Sequence, residues 1–135
     1  MKSLRILAAA AAVIGLAACN SGPKTPAPSG SGKSASLRAM EQVAIAAHKC
    51  WFASKDPAFK SYQMANELNN FGGTPRFLLV PAKQYGARPL LVVQAQGNSS
   101  QVQVFGPLMD QALGARIGSD ITRWSSGNPS CTGTA

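Results

Sequence analysis

Residues 89–105 have the sequence PLLVVQAQGNSSQVQVF, and this stretch decides the fold class that the sequence predicts. Two runs rich in strand-forming residues flank the dipeptide Gly97-Asn98. A two-residue connection with glycine first is typical of a tight β-hairpin, because its first position needs a positive φ. We therefore expect two antiparallel strands, over residues 89–96 and 99–105.

The tight turn also fixes how the two strands pair. It places Gln96 opposite Ser99, and therefore Leu90 opposite Phe105. Side chains alternate between the two faces of a strand. One face of the hairpin is then wholly apolar and is expected to lie on the core: Leu91, Val93, Val102 and Val104. The second face is mixed, with glutamines at one end and Leu90, Val92 and Phe105 at the other.

Two more strands are predicted before the hairpin. Residues 76–82 are RFLLVPA, a run of apolar residues that follows Gly72-Gly73. Residues 58–70 match both periodicities, and we interpret them as a short helical turn followed by a strand. That strand would contain Tyr62, Met64 and Leu68.

A helix is predicted on each side of the four strands. The first has Ser36 as its N-cap and continues to about Ala53. Its apolar residues recur three and four apart: Leu37, Met40, Ala44, Ala47 and Trp51. The last helix begins at Pro107 and ends before Gly127. Its apolar stripe is Met109, Leu113, Ile117, Ile121 and Trp124.

These elements predict an α+β fold in one small domain over residues 37–135. Their order is α-β-β-β-β-α, an antiparallel meander packed with N- and C-terminal helices. Gly114 and Gly118 lie one turn apart beside the stripe of the last helix, where they would let a neighbouring backbone come close.

The first residues follow the order of a secretory signal, with Lys2 and Arg5 before an apolar run. That run, residues 6–18, is too short to cross a bilayer as a helix. Leu16-Ala17-Ala18-Cys19 resembles the lipobox of bacterial lipoproteins. The resemblance implies that residues 1–18 are a signal peptide and that Cys19 is lipidated. An ordinary secretory signal with an incidental Cys19 is the alternative.

The lipobox resemblance has consequences for the other cysteines and for location. With Cys19 lipidated, an exported domain retains the pair Cys50 and Cys131, which we expect to form a disulfide. Asn20, rather than Asp, follows Cys19. By resemblance to lipoprotein sorting in bacteria with two membranes, this implies an outer-membrane location facing the periplasm.

Between Cys19 and the domain, residues 19–36 are expected to form a flexible linker rich in Ser, Gly and Pro, with an end-to-end distance of about 20–25 Å. Loss of the signal removes Lys2 and Arg5. This leaves 13 minus 2, or 11, basic residues against 5 acidic ones, a net charge of +6. The charge favours anionic envelope components. An exported location and basic residues spread singly along the chain argue against nucleic acid as a partner.

The sequence offers few residues for catalysis, and we predict no catalytic site, metal or cofactor. His48 is the single histidine. On a helix its side chain points roughly 200° away from that of Cys50, so the two cannot form a nucleophile and base pair. A small periplasmic hydrolase remains an alternative, and it requires that His48 meet an acid such as Glu41 or Asp120 in a cleft.

The second face of the hairpin is the candidate partner surface. Its apolar centre and its Tyr and Arg border comprise Leu90, Val92, Phe105, Arg76, Tyr85 and Arg88. Two interpretations are open. Either a helix or the segment after Pro57 covers this face and it is core, since isolated domains rarely expose large apolar patches, or it binds a partner.

The sequence thus favours a non-enzymatic, membrane-anchored lipoprotein of the envelope. We expect it to bind another envelope component, a protein or an anionic glycan, through the second sheet face. Besides the hydrolase, an inhibitor of an exported lytic enzyme is an alternative. The basic charge counts against an inhibitor, because lysozyme-like targets are generally basic.

Overall fold

The computed structural model describes residues 32–84 and 86–132. The predicted signal peptide, the sequence that resembles a lipobox, most of the predicted linker and Tyr85 lie outside these residues. The helices are α1 (Ala35–Ala47), which continues as a π-helix (His48–Ala53), and α2 (Gly114–Ser125), with 3₁₀ turns at Pro57–Phe59 and Pro107–Asp110. The strands are β1 (Tyr62–Glu67), β2 (Arg76–Pro81), β3 (Leu91–Ala95) and β4 (Val102–Phe105).

The four strands form one antiparallel sheet in the order β1-β2-β3-β4. This confirms the predicted meander between two helices and the small α+β fold. The segment after Pro57 forms a helical turn and then a strand, as predicted, but the strand ends at Glu67 and does not include Leu68.

The register of the β3–β4 hairpin differs from the prediction by two residues. Ala95 lies opposite Val102, and Val92 lies opposite Phe105. The turn at Gly97 does form, with a φ of 60° and a hydrogen bond from the Ser99 nitrogen to the Gln96 oxygen at 3.3 Å. The strands, however, resume pairing only at Val102.

The start of α1 explains this longer connection, because it binds the tip of the hairpin. The Ser36 hydroxyl donates to the Gly97 carbonyl at 2.5 Å, and the Ala35 nitrogen donates to the Asn98 side-chain oxygen at 3.2 Å. The tip is therefore held by a tertiary contact. A shift of two residues keeps each side chain on its predicted face.

The N-cap of α1 is Ser34, not Ser36. The Ser34 hydroxyl accepts a hydrogen bond from the Leu37 nitrogen at 3.2 Å, while Ser36 is buried against the hairpin. The helical segment extends to Ala53 as predicted, and Cys50 and Trp51 point into the core.

The predicted continuous helix from Pro107 is wrong, because two separate pieces form. The 3₁₀ turn is held on the sheet by a hydrogen bond from the Leu108 nitrogen to the Leu90 oxygen, with Leu108 buried. The chain then turns, and α2 begins at Gly114, whose backbone lies against Met109. The later part of the stripe is buried as expected: Ile117, Ile121 and Trp124.

The core lies between the sheet and the helices, and aromatic side chains fill it. Trp51 stacks on Phe59 with ring centroids 4.5 Å apart and contacts Trp124 at 5.0 Å. The nitrogen of Trp51 donates to the buried Asp120 carboxylate at 2.8 Å, and Arg123 donates to the other carboxylate oxygen. The charge of Asp120 is therefore balanced inside the domain.

The chain after α2 folds back onto this core. The ring nitrogen of Trp124 donates to the Ser130 oxygen at 2.9 Å. This contact brings Cys131 to Cys50, and the two form the predicted disulfide with a Cα–Cα distance of 5.1 Å.

Candidate binding surface

The helices pack on one face of the sheet, where residues such as Phe77, Leu79, Leu91 and Val93 join them in the core. Neither segment that the sequence suggested as a cover lies on the second face. The segment after Pro57 places Phe59 in the core and then forms the edge strand β1. In the described residues the second face therefore has no helix over it.

The register assembles an apolar row across the second face. One residue from each strand lies opposite the next: Ala65, Leu78, Val92 and Phe105. Leu78 on the inner strand β2 is 9% exposed, whereas Phe105 on the edge strand is 48% exposed. The row thus runs from a screened centre to an accessible aromatic ring.

A polar row lies beside the apolar one and consists of Glu67, Arg76, Gln94 and Gln103. The Arg76 guanidinium donates to the Glu67 carboxylate at 2.6 Å, and the Gln94 amide donates to the Gln103 oxygen at 3.3 Å. These contacts satisfy the polar groups within the surface and form one border of the apolar row.

The structure brings together only part of the predicted partner surface. Val92, Phe105 and Arg76 lie on the second face in neighbouring rows. Leu90 does not belong to it, because it lies before the start of β3 at Leu91 and packs against the core. Arg88 is exposed in the connection between β2 and β3.

Charge is distributed unevenly over the domain. Four of the five carboxylates form ion pairs: Glu41 with Lys33, Asp56 with Arg116, Glu67 with Arg76, and Asp120 with Arg116 and Arg123. The hydrogen bond from Arg116 and that from the Ala58 nitrogen lower the pKa of Asp56 below its ordinary value. Because four carboxylates are paired with basic side chains, the net positive charge of the domain lies on the remaining exposed lysines and arginines.

Exposed cations collect at the end of the sheet where β1 begins and β2 ends. The Ala82 nitrogen donates to the Ser61 oxygen at 2.8 Å, which brings Lys60 and Lys83 to the same end. Both side chains are exposed and form no ion pair with any residue that the structure describes. This end is suited to contact with acidic groups.

A groove of about 680 Å³ lies between α1 and the edge strand β1. Its walls include Ile45, which is 70% exposed, and Met64. The groove was not predicted from the sequence, although Ile45, an apolar residue outside the buried stripe of α1, indicates it.

His48 lines the same groove but does not meet either acid that the hydrolase hypothesis requires. Glu41 is two helical turns away, about 10 Å along the axis, and is bound by Lys33 at 2.6 and 2.8 Å. Asp120 is buried under Trp51. Within the described residues, no group of three or more His, Cys, Asp or Glu side chains is placed to hold a metal ion.

The chain matches no protein-family model, no curated protein and no solved structure. Among residues 32–84 and 86–132, no helix has the length and apolar character needed to cross a membrane. Function is therefore inferred from the geometry of the surfaces and from the lipobox resemblance.

Proposed function

We propose that this protein is a lipid-anchored envelope lipoprotein without catalytic activity, and that its domain binds an acidic envelope protein through the second face of the sheet. An apolar row crosses all four strands on the face opposite the helices and ends at the half-exposed ring of Phe105.

The composition of this face favours a protein as the partner over an anionic glycan. An apolar centre with a polar border and an accessible aromatic ring is typical of protein interfaces, whereas an anionic glycan would leave the aliphatic part of the row without an apolar partner. The basic net charge and the exposed cations beside β1 and β2 favour acidic residues on the partner.

Lipid on Cys19 would confine the domain to the surface of one membrane. The linker that the sequence predicts permits contact with components of that surface and of the adjoining space. Confinement raises the effective concentration of a partner held in the same envelope, so a modest interface is enough for association.

Photo-crosslinking in cells tests the proposed surface. A photoreactive amino acid replaces Phe105 in one strain and Ile45 in another; both sites are exposed and apolar, but Ile45 lies on α1 beside the groove. We expect one acidic protein to be captured from position 105 and not from position 45. No specific product at position 105, or the same products at both positions, would contradict the proposal.

The anchor is tested separately by fractionation and mass spectrometry. Wild-type protein is expected in the membrane fraction, with acyl groups on the peptide that begins at Cys19. The Cys19→Ser chain should lack these groups. It should also leave the membrane fraction without detergent. An unacylated wild-type chain would contradict the anchor.

A further inference from the structure

Phe71, in the connection between β1 and β2, is the most exposed large apolar side chain of the described residues, at 112% of its reference area. The Gly73 nitrogen donates to the Asn70 oxygen at 3.2 Å, so Phe71 occupies the second position of a four-residue turn. Its neighbours in the turn are polar or glycine. An aromatic ring is therefore presented alone at the tip of a loop.

This turn is held at its base by one side chain. The Asn70 amide donates to the Glu67 oxygen at 3.1 Å and to the Thr74 oxygen at 2.7 Å, which connects the two sides of the loop. Gly73 has a φ of 68°, a conformation that favours glycine. The loop backbone is therefore fixed on both sides of Phe71, and the Phe71 ring projects from it.

Phe71 projects from the end of the domain at which the predicted linker enters. In an antiparallel meander, the β1–β2 and β3–β4 connections lie at the same end of the sheet. The start of α1 binds the β3–β4 connection through Ser36 and Gly97. Lys33, just before α1, also lines the groove together with Leu68, at the base of the Phe71 loop.

From these positions we infer that the β1–β2 loop contacts the lipid surface that carries the Cys19 anchor, with Phe71 inserted among the headgroups. The inference rests on the anchor of the proposed function and not on its sheet face. Aromatic rings are favoured at the membrane interface, and insertion of about 5–10 Å is enough to bury one.

The charges at this end permit contact with an anionic surface. Lys33 and Arg76 are paired with Glu41 and Glu67, and Arg38 adds one more positive charge. Arg38 belongs to this end because its guanidinium donates to the Lys33 oxygen at 2.5 Å. The turn itself contains no charged residue between Asn69 and Gly73 that insertion would have to dehydrate.

This contact would orient the domain on the membrane. The strands would stand roughly along the membrane normal, with the second face directed sideways. The opposite end of the sheet, which carries Lys60 and Lys83, would point away from the lipid. The apolar row and the exposed cations would then both be accessible to a partner.

Depth-dependent fluorescence quenching tests the contact. The mature acylated protein is inserted into vesicles of phosphatidylethanolamine and phosphatidylglycerol, with and without bromine on the acyl chains. Phe71→Trp is compared with Phe105→Trp, which is exposed on the second face; the native Trp51 and Trp124 are buried and give a constant background. We expect bromine to remove most of the emission that Phe71→Trp adds and to leave that of Phe105→Trp unchanged.

Equal emission from Phe71→Trp in both kinds of vesicle overturns the inference, and so does equal quenching of the two variants. If the Phe71→Trp chain does not fold, hydrogen exchange of the wild-type amides 69–73 is measured instead. Slower exchange on anchoring to vesicles supports the contact, and unchanged exchange overturns it.

Mass spectra of the Cys19 peptide distinguish a failure of the anchor from a failure of the loop contact. Absence of acyl groups on Cys19 contradicts the anchor itself, whereas an acylated chain without quenching contradicts only the loop contact.

Discussion

Gly114 lies where α2 begins, with its backbone against Met109. A Cβ at this position would lie 2.2 Å from the Met109 oxygen, so alanine requires the backbone to move. We expect Gly114→Ala to lower the free energy of unfolding by about 1–3 kcal/mol, the usual cost of overpacking. Urea-induced unfolding measures this change.

Gly118 is the matched control one turn later in the same helix. The nearest atom to a Cβ there is the Met109 methyl at 3.8 Å, an ordinary contact. Gly118→Ala should be neutral or stabilising by up to about 1 kcal/mol, because alanine is the better helix former. Similar losses of stability in both variants would contradict the close approach at Gly114.

For single residues, the sequence predicts the orientation of a side chain where that orientation depends on residues nearby in the sequence. Helical periodicity predicts the inward direction of Cys50. The expected close approach of a backbone forms at Gly114 but not at Gly118, where a Cβ would meet only the Met109 methyl. The sequence does not predict that Ser34, rather than Ser36, is the N-cap of α1. This choice depends on the contact of Ser36 with Gly97, which lies 61 residues later in the chain.

Asp56 connects two elements, because it caps the 3₁₀ turn Pro57–Phe59 and binds Arg116 of α2 at 2.6 Å. The hydrogen bond from Arg116 lowers the pKa of this carboxyl in the folded state. The unfolded chain therefore binds the proton more readily. The resulting stabilisation is present above the ordinary pKa of about 3.9 and is lost as the pH falls through the lowered value.

We expect Asp56→Asn to be less stable than wild type at neutral pH and to match it in strong acid. The side chain of Arg116 is 40% exposed and screened by water, so the difference is at most about 1 kcal/mol. Thermal unfolding as a function of pH measures it. Asp110→Asn is the control, since Asp110 has no ion pair within the described residues. A constant difference at all pH values would contradict this account.

At the level of elements, apolar runs bounded by turn residues predict β2, β3 and β4 well. Helical periodicity is less reliable. It fails at residues 107–113, where a stripe beginning at Met109 predicts one continuous helix. The break arises from contacts distant in sequence, the burial of Leu108 and its hydrogen bond to Leu90. The register of the hairpin is missed for the same reason, since α1 holds its tip.

The Cys50–Cys131 disulfide closes a loop with a sequence separation of 81. On the chain-entropy model such a crosslink stabilises the domain by about 4–5 kcal/mol, a large part of a small domain's stability. We expect the double variant, which carries both Cys50→Ala and Cys131→Ala, to have a sharply lower melting temperature than wild type. Calorimetry of the variant beside reduced wild type measures the loss, and an unchanged melting temperature would contradict a structural role for the disulfide.

For the molecule as a whole, the sequence predicts the order of elements and the disulfide, because each depends on patterns within single segments or on cysteine count. It does not decide which sheet face is covered, because that depends on where helices pack. The position of Phe71 at the same end as the start of α1 is also missed. It emerges only when the meander places two connections at the same end of the sheet.

Capture after crosslinking in membranes decides whether the second face of the sheet binds a partner. Phe105→Lys replaces the exposed aromatic ring of the apolar row with a charge. Gln103→Lys adds the same charge at an exposed residue of the polar row on the same strand. We predict that Phe105→Lys abolishes capture of the acidic partner and that Gln103→Lys retains it. Capture by Phe105→Lys at the wild-type level would contradict the account.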